Sequence, residues 1–382
     1  MKFIDLKRGW KPMIYLDYAA TSPMTDAAVE AYSHAAKNMF GNTSSLHDAG
    51  GEAAYHLENA RTIIANKLGV NRDGIVFTGS GTEGNILAIL SLARAGKGKH
   101  IITSAAEHTS VHAAVNTLER EGYQITKLPF TQDGIIDLDL LEQSIREDTV
   151  LITIQHVNSE IGSIQPVEKI AQIARSHSIP YHVDCVQSFC KLPIEEFSKF
   201  VDAITISAHK VGGPKGCGAI YINPRRRISP VFPGVTHEKG VRGGTVDTPS
   251  IVAMAVAVEQ FQYDVNYYWK LRLQLSNLIE DSNCTLIEAP KENQLPSICG
   301  LCLNGIEGQF VMLKLNEESI CISTGSACDI NSASGTKAIL AMGYSLSTAR
   351  QFFRVSFGPG TVEAQIEKLG EELMKISKDV NM

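Results

Sequence analysis

No stretch of the sequence stays apolar long enough to span a bilayer, and the opening Met1-Lys-Phe-Ile-Asp-Leu-Lys-Arg-Gly-Trp10 lacks the uninterrupted apolar core of a signal peptide. The expected compartment is therefore the cytoplasm, with no membrane partner. The chain also lacks an internal repeat, a low-complexity tract and a Gly/Ser linker, so solenoids and arrays are excluded and its units should pack closely. A dominant charge of either sign is missing: a net charge of -6 gives no reason to expect nucleic acid or an anionic membrane as partner. Cys299-x-x-Cys302 has neither a second CxxC nor a nearby histidine pair, and no metal is expected. Those two positions lie in a strand-like run where residues three apart face opposite sides, so both read as structural. The eight cysteines (185, 190, 217, 284, 299, 302, 321 and 328) read as free thiols of a cytosolic protein rather than a disulfide framework.

What is present is an ordinary globular composition, 44% hydrophobic over 382 residues, long enough for two compact units. Short β-rich runs at Ile75-Val-Phe-Thr78, His100-Ile-Ile-Thr103, Val150 to Gln155, Tyr181-His-Val-Asp184 and Ala203-Ile-Thr-Ile-Ser207 alternate with helical patterns. That rhythm predicts an α/β fold, a mostly parallel sheet covered by helices on both faces. A helix is legible from Glu52 to Leu68, where Leu57, Ala60, Ile64 and Leu68 recur at helical spacing. Beyond about residue 250 come a helix through Ile251 to Val258, a hydrophilic segment from Glu288 to Asn293 and a strand-like run from Ser297 to Asn304. A closing amphipathic helix carries Val362, Ile366, Leu369, Leu373 and Ile376 on one face. The expected domains are a large cofactor-binding unit, 16–250, and a smaller α+β unit made of 1–15 and 251–382.

Three clusters carry chemistry. Lys210 stands in Thr205-Ile-Ser-Ala-His209-Lys210, with Asp184 and Gln187 one strand upstream. A lysine amine can condense with an aldehyde, and an aspartate against a ring nitrogen keeps that nitrogen protonated, which is the pairing pyridoxal phosphate requires. Asp184 ends an apolar strand, where an unpaired carboxylate is costly and a pyridinium partner removes the cost. Gly79-Ser80-Gly81-Thr82-Glu83-Gly84 follows a strand and opens a helix, where free N–H groups and the helix dipole suit a phosphate. The same run satisfies GxGxxG, and Glu107 lies at a distance suited to a ribose-binding acid, so a dinucleotide site is the competing reading. Downstream, Ile322-Ser-Thr-Gly-Ser-Ala-Cys328 places one thiol among small residues, where a thiolate could attack sulfur.

Together with Tyr15-Leu-Asp17-Tyr-Ala-Ala-Thr21, Phe40-Gly41-Asn42, Ala106-Glu107-His108, Arg242-Gly-Gly-Thr245 and Arg354-Val-Ser-Phe-Gly358, these blocks resemble the NifS/IscS-type cysteine desulfurases of the class V aminotransferase-like group, over nearly the whole chain. The resemblance implies a fold-type I pyridoxal phosphate transferase. It further implies a homodimer that converts L-cysteine to L-alanine and passes sulfur from a Cys328 persulfide to an acceptor protein. Iron-sulfur or other cofactor assembly is the implied purpose, with a dedicated client enzyme in NAD synthesis as one form of it.

By the same resemblance, Gly81, Thr82, Ser207 and His209 contact the cofactor phosphate, Thr245 reaches it from the other subunit, and Gln187 bonds the ring oxygen. His108 stacks on the ring and shuttles protons, for which a near-neutral pKa suits it. Arg354 grips the substrate carboxylate with its planar fork, with Asn42 as a further substrate contact. Two departures stand out. The usual His-Val-Asn-Asn-Glu-x-Gly reads His156-Val-Asn158-Ser159-Glu160-Ile-Gly162, so the second asparagine's cofactor contact does not carry over. Gly212 replaces a more usual aromatic, leaving space near the site. An aminotransferase acting on a small amino acid is the alternative, and Cys328 discriminates, since transamination needs no thiol there.

Overall fold

The computed structural model describes residues 13–324 and 336–379. After a short strand, β1 (Ile14–Tyr15), the β-branched runs form β2 (Ile75–Thr78), β3 (His100–Ser104), β4 (Gln124–Leu128), β5 (Thr149–Thr153), β6 (Tyr181–Asp184), β7 (Ala203–Ser207) and β8 (Gly218–Ile222). These seven make one sheet in the order β2-β8-β7-β6-β5-β3-β4. β3 to β7 pair in parallel, and β8 alone runs antiparallel to both its neighbours, β2 and β7. Side chains alternate between the faces, as the strand period demands. Ile102 and Ile152 join the core under the helix Asp48–Leu68. Their neighbours Ile101 and Leu151 join the core under the helix Gly81–Ala95.

The centre of this sheet is held by a buried imidazole. His182 on β6 bonds Thr153 Oγ1 on β5 at 2.8 Å and Thr205 Oγ1 on β7 at 2.9 Å, and burial pushes its pKa down to about 3. A neutral ring with both nitrogens occupied satisfies the polar groups that a dry sheet interior would otherwise strand.

The second half of the chain adds β9 (Cys284–Ile287), β10 (Ile298–Leu303), β11 (Ile320–Cys321) and β12 (Phe352–Ser356). β10 lies between β12 and β9, antiparallel to both, while β11 pairs in parallel with β1. Cys299 and Cys302 fall on opposite faces of β10. The first packs with Leu16, Leu301 and Phe353 in a separate core, and the second joins the core of the large sheet.

The closing helix, Glu363–Asp379, presses Ile366, Leu369, Leu373 and Ile376 into the separate core. Val362 does not belong to that face, because it precedes the helix and is 50% exposed; its backbone N–H donates to Gln365 Oε1 at the helix entrance. The run expected to extend through Gln155 leaves the ladder after Thr153, and that exit turns Gln155 toward the site described next. Among the described residues no helix is long and apolar enough to cross a membrane.

Candidate active site

Parallel strands deliver their loops to one edge of a sheet, and ligand sites of open α/β sheets lie there. The segments following β2, β3, β5, β6 and β7 meet around a cavity of about 170 Å³ lined by Gly81, Thr82, Asn85, His108, Asp184, Gln187, Ser207, His209 and Lys210, among others. Most of the site residues expected from the sequence are therefore brought together.

Ser80 caps the helix Gly81–Ala95 by accepting from Glu83 N at 3.1 Å, so the helix starts at the cavity wall. A Cβ on Gly81 would meet Val186 Cγ2 at 2.8 Å and Ser207 Cβ at 3.3 Å, so only glycine lets this backbone approach β7. Ser207 Oγ and Gln187 Oε1 are buried without a hydrogen-bond partner among the described residues. Two stranded polar atoms beside a helix N-terminus fit a polar, phosphate-bearing group, which would satisfy them.

Asp184, at the end of β6, accepts from Asn85 Nδ2 at 2.7 Å and from Val186 N at 2.9 Å. Asn85 Nδ2 also donates to Ser110 Oγ at 2.9 Å, and Ser110 Oγ lies 2.7 Å from His108 Nδ1. Since Ser110 N donates to that same Nδ1, the proton of a neutral His108 ring sits on Nε2. A continuous polar chain thus runs from Asp184 to His108. Sequence reasoning missed Asn85 and Ser110; the available signal was an asparagine four residues after Gly81, just before the apolar run 86–90.

Lys210 follows β7. Its Nζ donates to the carbonyl oxygens of Ala19 at 2.5 Å and Ala20 at 2.7 Å, in the turn after Asp17. Burial, reinforced by the nearby Arg354 and Lys191 cations, brings its pKa down to about 7, so much of the amine is neutral near physiological pH. His209 bonds Thr21 Oγ1 at 3.1 Å, and burial together with the Lys210 charge lowers its pKa to about 4. Arg354 on β12 is buried, its guanidinium placed between the carbonyl oxygen of Ser159, a lining residue, and the carboxylate of Asp17.

Arg354 stands behind Ser159 and does not itself line the cavity, nor do two further expected residues. Asn42 and Thr245 are exposed and do not line the cavity of the single chain; Asn42 Oδ1 accepts from Ser44 N instead. Cys328 lies outside the described residues, where the chain before it reaches Ser323, whose backbone pairs with that of Arg354.

Glu107 corrects the dinucleotide reading. Its carboxylate is buried, accepts from Ser104 Oγ at 2.6 Å and from Gln155 N at 3.1 Å, and is pushed up to about 8 by burial. It pins two strand ends together and does not line the cavity, so no ribose could reach it.

The aminotransferase class-V family matches residues 14–369. The chain belongs to that family. It is 41% identical over 366 residues to the protein designated NifS in Bacillus subtilis (strain 168), covering 94% of this chain and 93% of that one. It is 35% identical over 381 residues to the cysteine desulfurase IscS of Dictyoglomus turgidum, covering 96% and 97% of the two chains. A solved structure described as SspA in complex with cysteine superposes with a TM-score of 0.81 at 35% identity, over 91% of this chain and all of that one. The fold is that of a fold-type I pyridoxal phosphate enzyme, and the stranded polar atoms, the Asp184 carboxylate and the Lys210 amine fit that cofactor.

Proposed function

We infer that the protein is a cysteine desulfurase, taking sulfur from L-cysteine and releasing L-alanine. The observation that carries this reading is the placement of Lys210, with its depressed pKa, and the Asp184 carboxylate on one cavity in a chain whose relatives include a named cysteine desulfurase. The structure bound to cysteine supports the choice of substrate.

Pyridoxal phosphate, when bound, supplies an aldehyde carbon that captures an amine and a protonated ring that accepts the charge left at the substrate's α-carbon. Lys210 would tether it, Asp184 would keep its ring nitrogen protonated and Gln187 would bond its ring oxygen. Gly81, Thr82, Ser207 and His209 would hold the phosphate, with Thr245 of a second copy completing the set. Arg354 would hold the substrate carboxylate by its fork, helped by Asn42. The Lys210 amine would take the substrate's α-proton, and His108 would pass protons within the site. Cys328 attacks the substrate's sulfur as a thiolate. An S–S bond forms as the C–S bond breaks, the electron pair stays with carbon, and a proton added there, with a proton returned to the α-carbon, completes alanine.

The exposed position of Thr245 and the exposed apolar side chains of Phe40, Leu46 and Tyr55 support a homodimer. The seven described cysteines are all free, which supports the reducing cytoplasm as compartment. The persulfide sulfur would pass to an acceptor protein for iron-sulfur cluster assembly, in the narrowest form to one client enzyme in NAD synthesis. The test is alanine formation from L-cysteine with added dithiol by the cofactor-loaded protein. Alanine formed by the parent and abolished in Lys210→Ala supports the reading; transamination of a keto acid without sulfur release would replace it with an aminotransferase.

A further inference from the structure

Beside the cofactor cavity lies a second one of about 190 Å³, and Lys210 is the residue they share. Its walls are mostly aromatic and aliphatic: Tyr18, Met24, Phe261, Tyr263, Tyr268 and Phe357. No aspartate or glutamate lines it, whereas two amines do, Lys210 and Lys191. The Lys210 amine is occupied by the Ala19 and Ala20 carbonyls. The Lys191 amine has no hydrogen-bond or ion-pair partner among the described residues, and burial draws its pKa down to about 8. Lys191 is only half-buried, so its ammonium keeps part of its hydration, and an anion that meets it gains a charge-assisted contact.

Gly212 forms part of the wall. Its backbone is in the left-handed region, φ +78°, and a Cβ there would meet Thr25 Cγ2 at 2.8 Å, so any larger residue would intrude on this wall. For scale, an apolar cavity of about 150 Å³ accepts a benzene ring.

We propose that this second cavity is a binding site for a small monocarboxylate with an apolar body about the size of a single ring, its carboxylate on Lys191 and its body among Tyr18, Phe261, Tyr268 and Phe357. Aromatic walls with one convergent charge are the usual make-up of a small-molecule site. The two tyrosines nearest in sequence help fix the shape: Tyr263 donates to Ser297 Oγ at 2.8 Å and stacks on Tyr268 with ring centroids 4.6 Å apart. Because Lys210 belongs to both cavities, a bound carboxylate places negative charge beside the lysine that does the chemistry. The site stands on its own lining and does not require the desulfurase reading.

The test is calorimetric titration of the cofactor-loaded protein with sodium benzoate, with benzyl alcohol as the uncharged counterpart. One benzoate per chain is expected, bound at least about tenfold more tightly than the alcohol, as a charge-assisted contact requires. Lys191→Met and, separately, Gly212→Asn should each weaken binding by about tenfold or more, the second by filling the space while tolerating the left-handed backbone. Arg354→Lys should leave it unchanged. Absence of binding, equal affinity for the alcohol, or binding that is lost in Arg354→Lys and kept in Lys191→Met would overturn the proposal, the last by assigning benzoate to the substrate's own carboxylate site.

Discussion

Arg354 donates from Nη1 to the carbonyl oxygen of Ser159 at 2.8 Å, so the residue that departs from the family's usual asparagine serves the arginine through its backbone. Nη2 donates to Asp17 Oδ1 at 2.9 Å, and Nε is buried without a partner among the described residues. The guanidinium is thus oriented from both sides with two of its five N–H donors used, which leaves donors for the proposed substrate carboxylate.

Arg354→Ala should therefore raise the KM for L-cysteine by about 30- to 100-fold, the loss expected of a buried charge-assisted contact. Arg354→Lys, which keeps charge and loses the fork, should fall between. Ser159→Ala should stay within about twofold of the parent, because the contact it provides is a main-chain carbonyl. Steady-state kinetics on the three variants checks the order.

Asn85 is expected to matter for cofactor retention. Replacing it by alanine removes a 2.7 Å donor from the buried Asp184 and breaks the polar chain to His108. An unsatisfied buried group costs about 1–3 kcal/mol, so pyridoxal phosphate should be held about 10- to 100-fold more weakly in Asn85→Ala. Dialysis followed by visible absorption of the retained cofactor measures it.

The pH dependence of cofactor uptake follows from Lys210. A lysine lowered to about 7 loses its proton well below the usual value, and only the neutral amine condenses with an aldehyde. The rate of reconstitution of cofactor-free protein should rise as pH increases through about 7 and level off above about 8. A midpoint near the ordinary lysine value would show that burial does not depress this amine.

Acid stability should report His182. Its folded pKa of about 3 lies below the ordinary histidine value, so between the two the unfolded chain binds a proton that the folded chain refuses. The stability contribution is complete above about pH 6.5 and is lost as pH falls toward 3. In His182→Gln the slope of unfolding free energy between about pH 6 and 4 should be shallower by about 1.4 kcal/mol per pH unit, one proton's worth. Urea denaturation at a series of pH values provides the slope.

The strands that carry the site were legible because continuous β-branched runs mark a sheet buried on both faces, and the site residues sit where those runs stop. Asp184, Ser207 and Lys210 follow from that alone. Gly218–Ile222 was not read as a strand, because a glycine-led run after Lys215 gives no period to count and its antiparallel pairing is a tertiary choice. Asn85 was hidden because a polar residue in a helix does not announce its partner, which lies 99 residues later in sequence. Val362 has the right spacing for the last helix yet lies outside it, since periodicity does not record where a helix begins. Asn42 and Thr245 do not line the cavity of one chain; for Thr245, a contact proposed to come from a second copy would leave no mark on the fold of the first.

The central claim is that sulfur leaves L-cysteine for Cys328. Its most direct test is mass spectrometry of the cofactor-loaded protein after a brief exposure to L-cysteine without dithiol, compared with Cys328→Ala. The account predicts a gain of one sulfur atom on the peptide containing Cys328, and a variant that keeps its cofactor absorption but gains no sulfur and makes no alanine. Sulfur on another cysteine, or alanine formed at the parent's rate by Cys328→Ala, would contradict it.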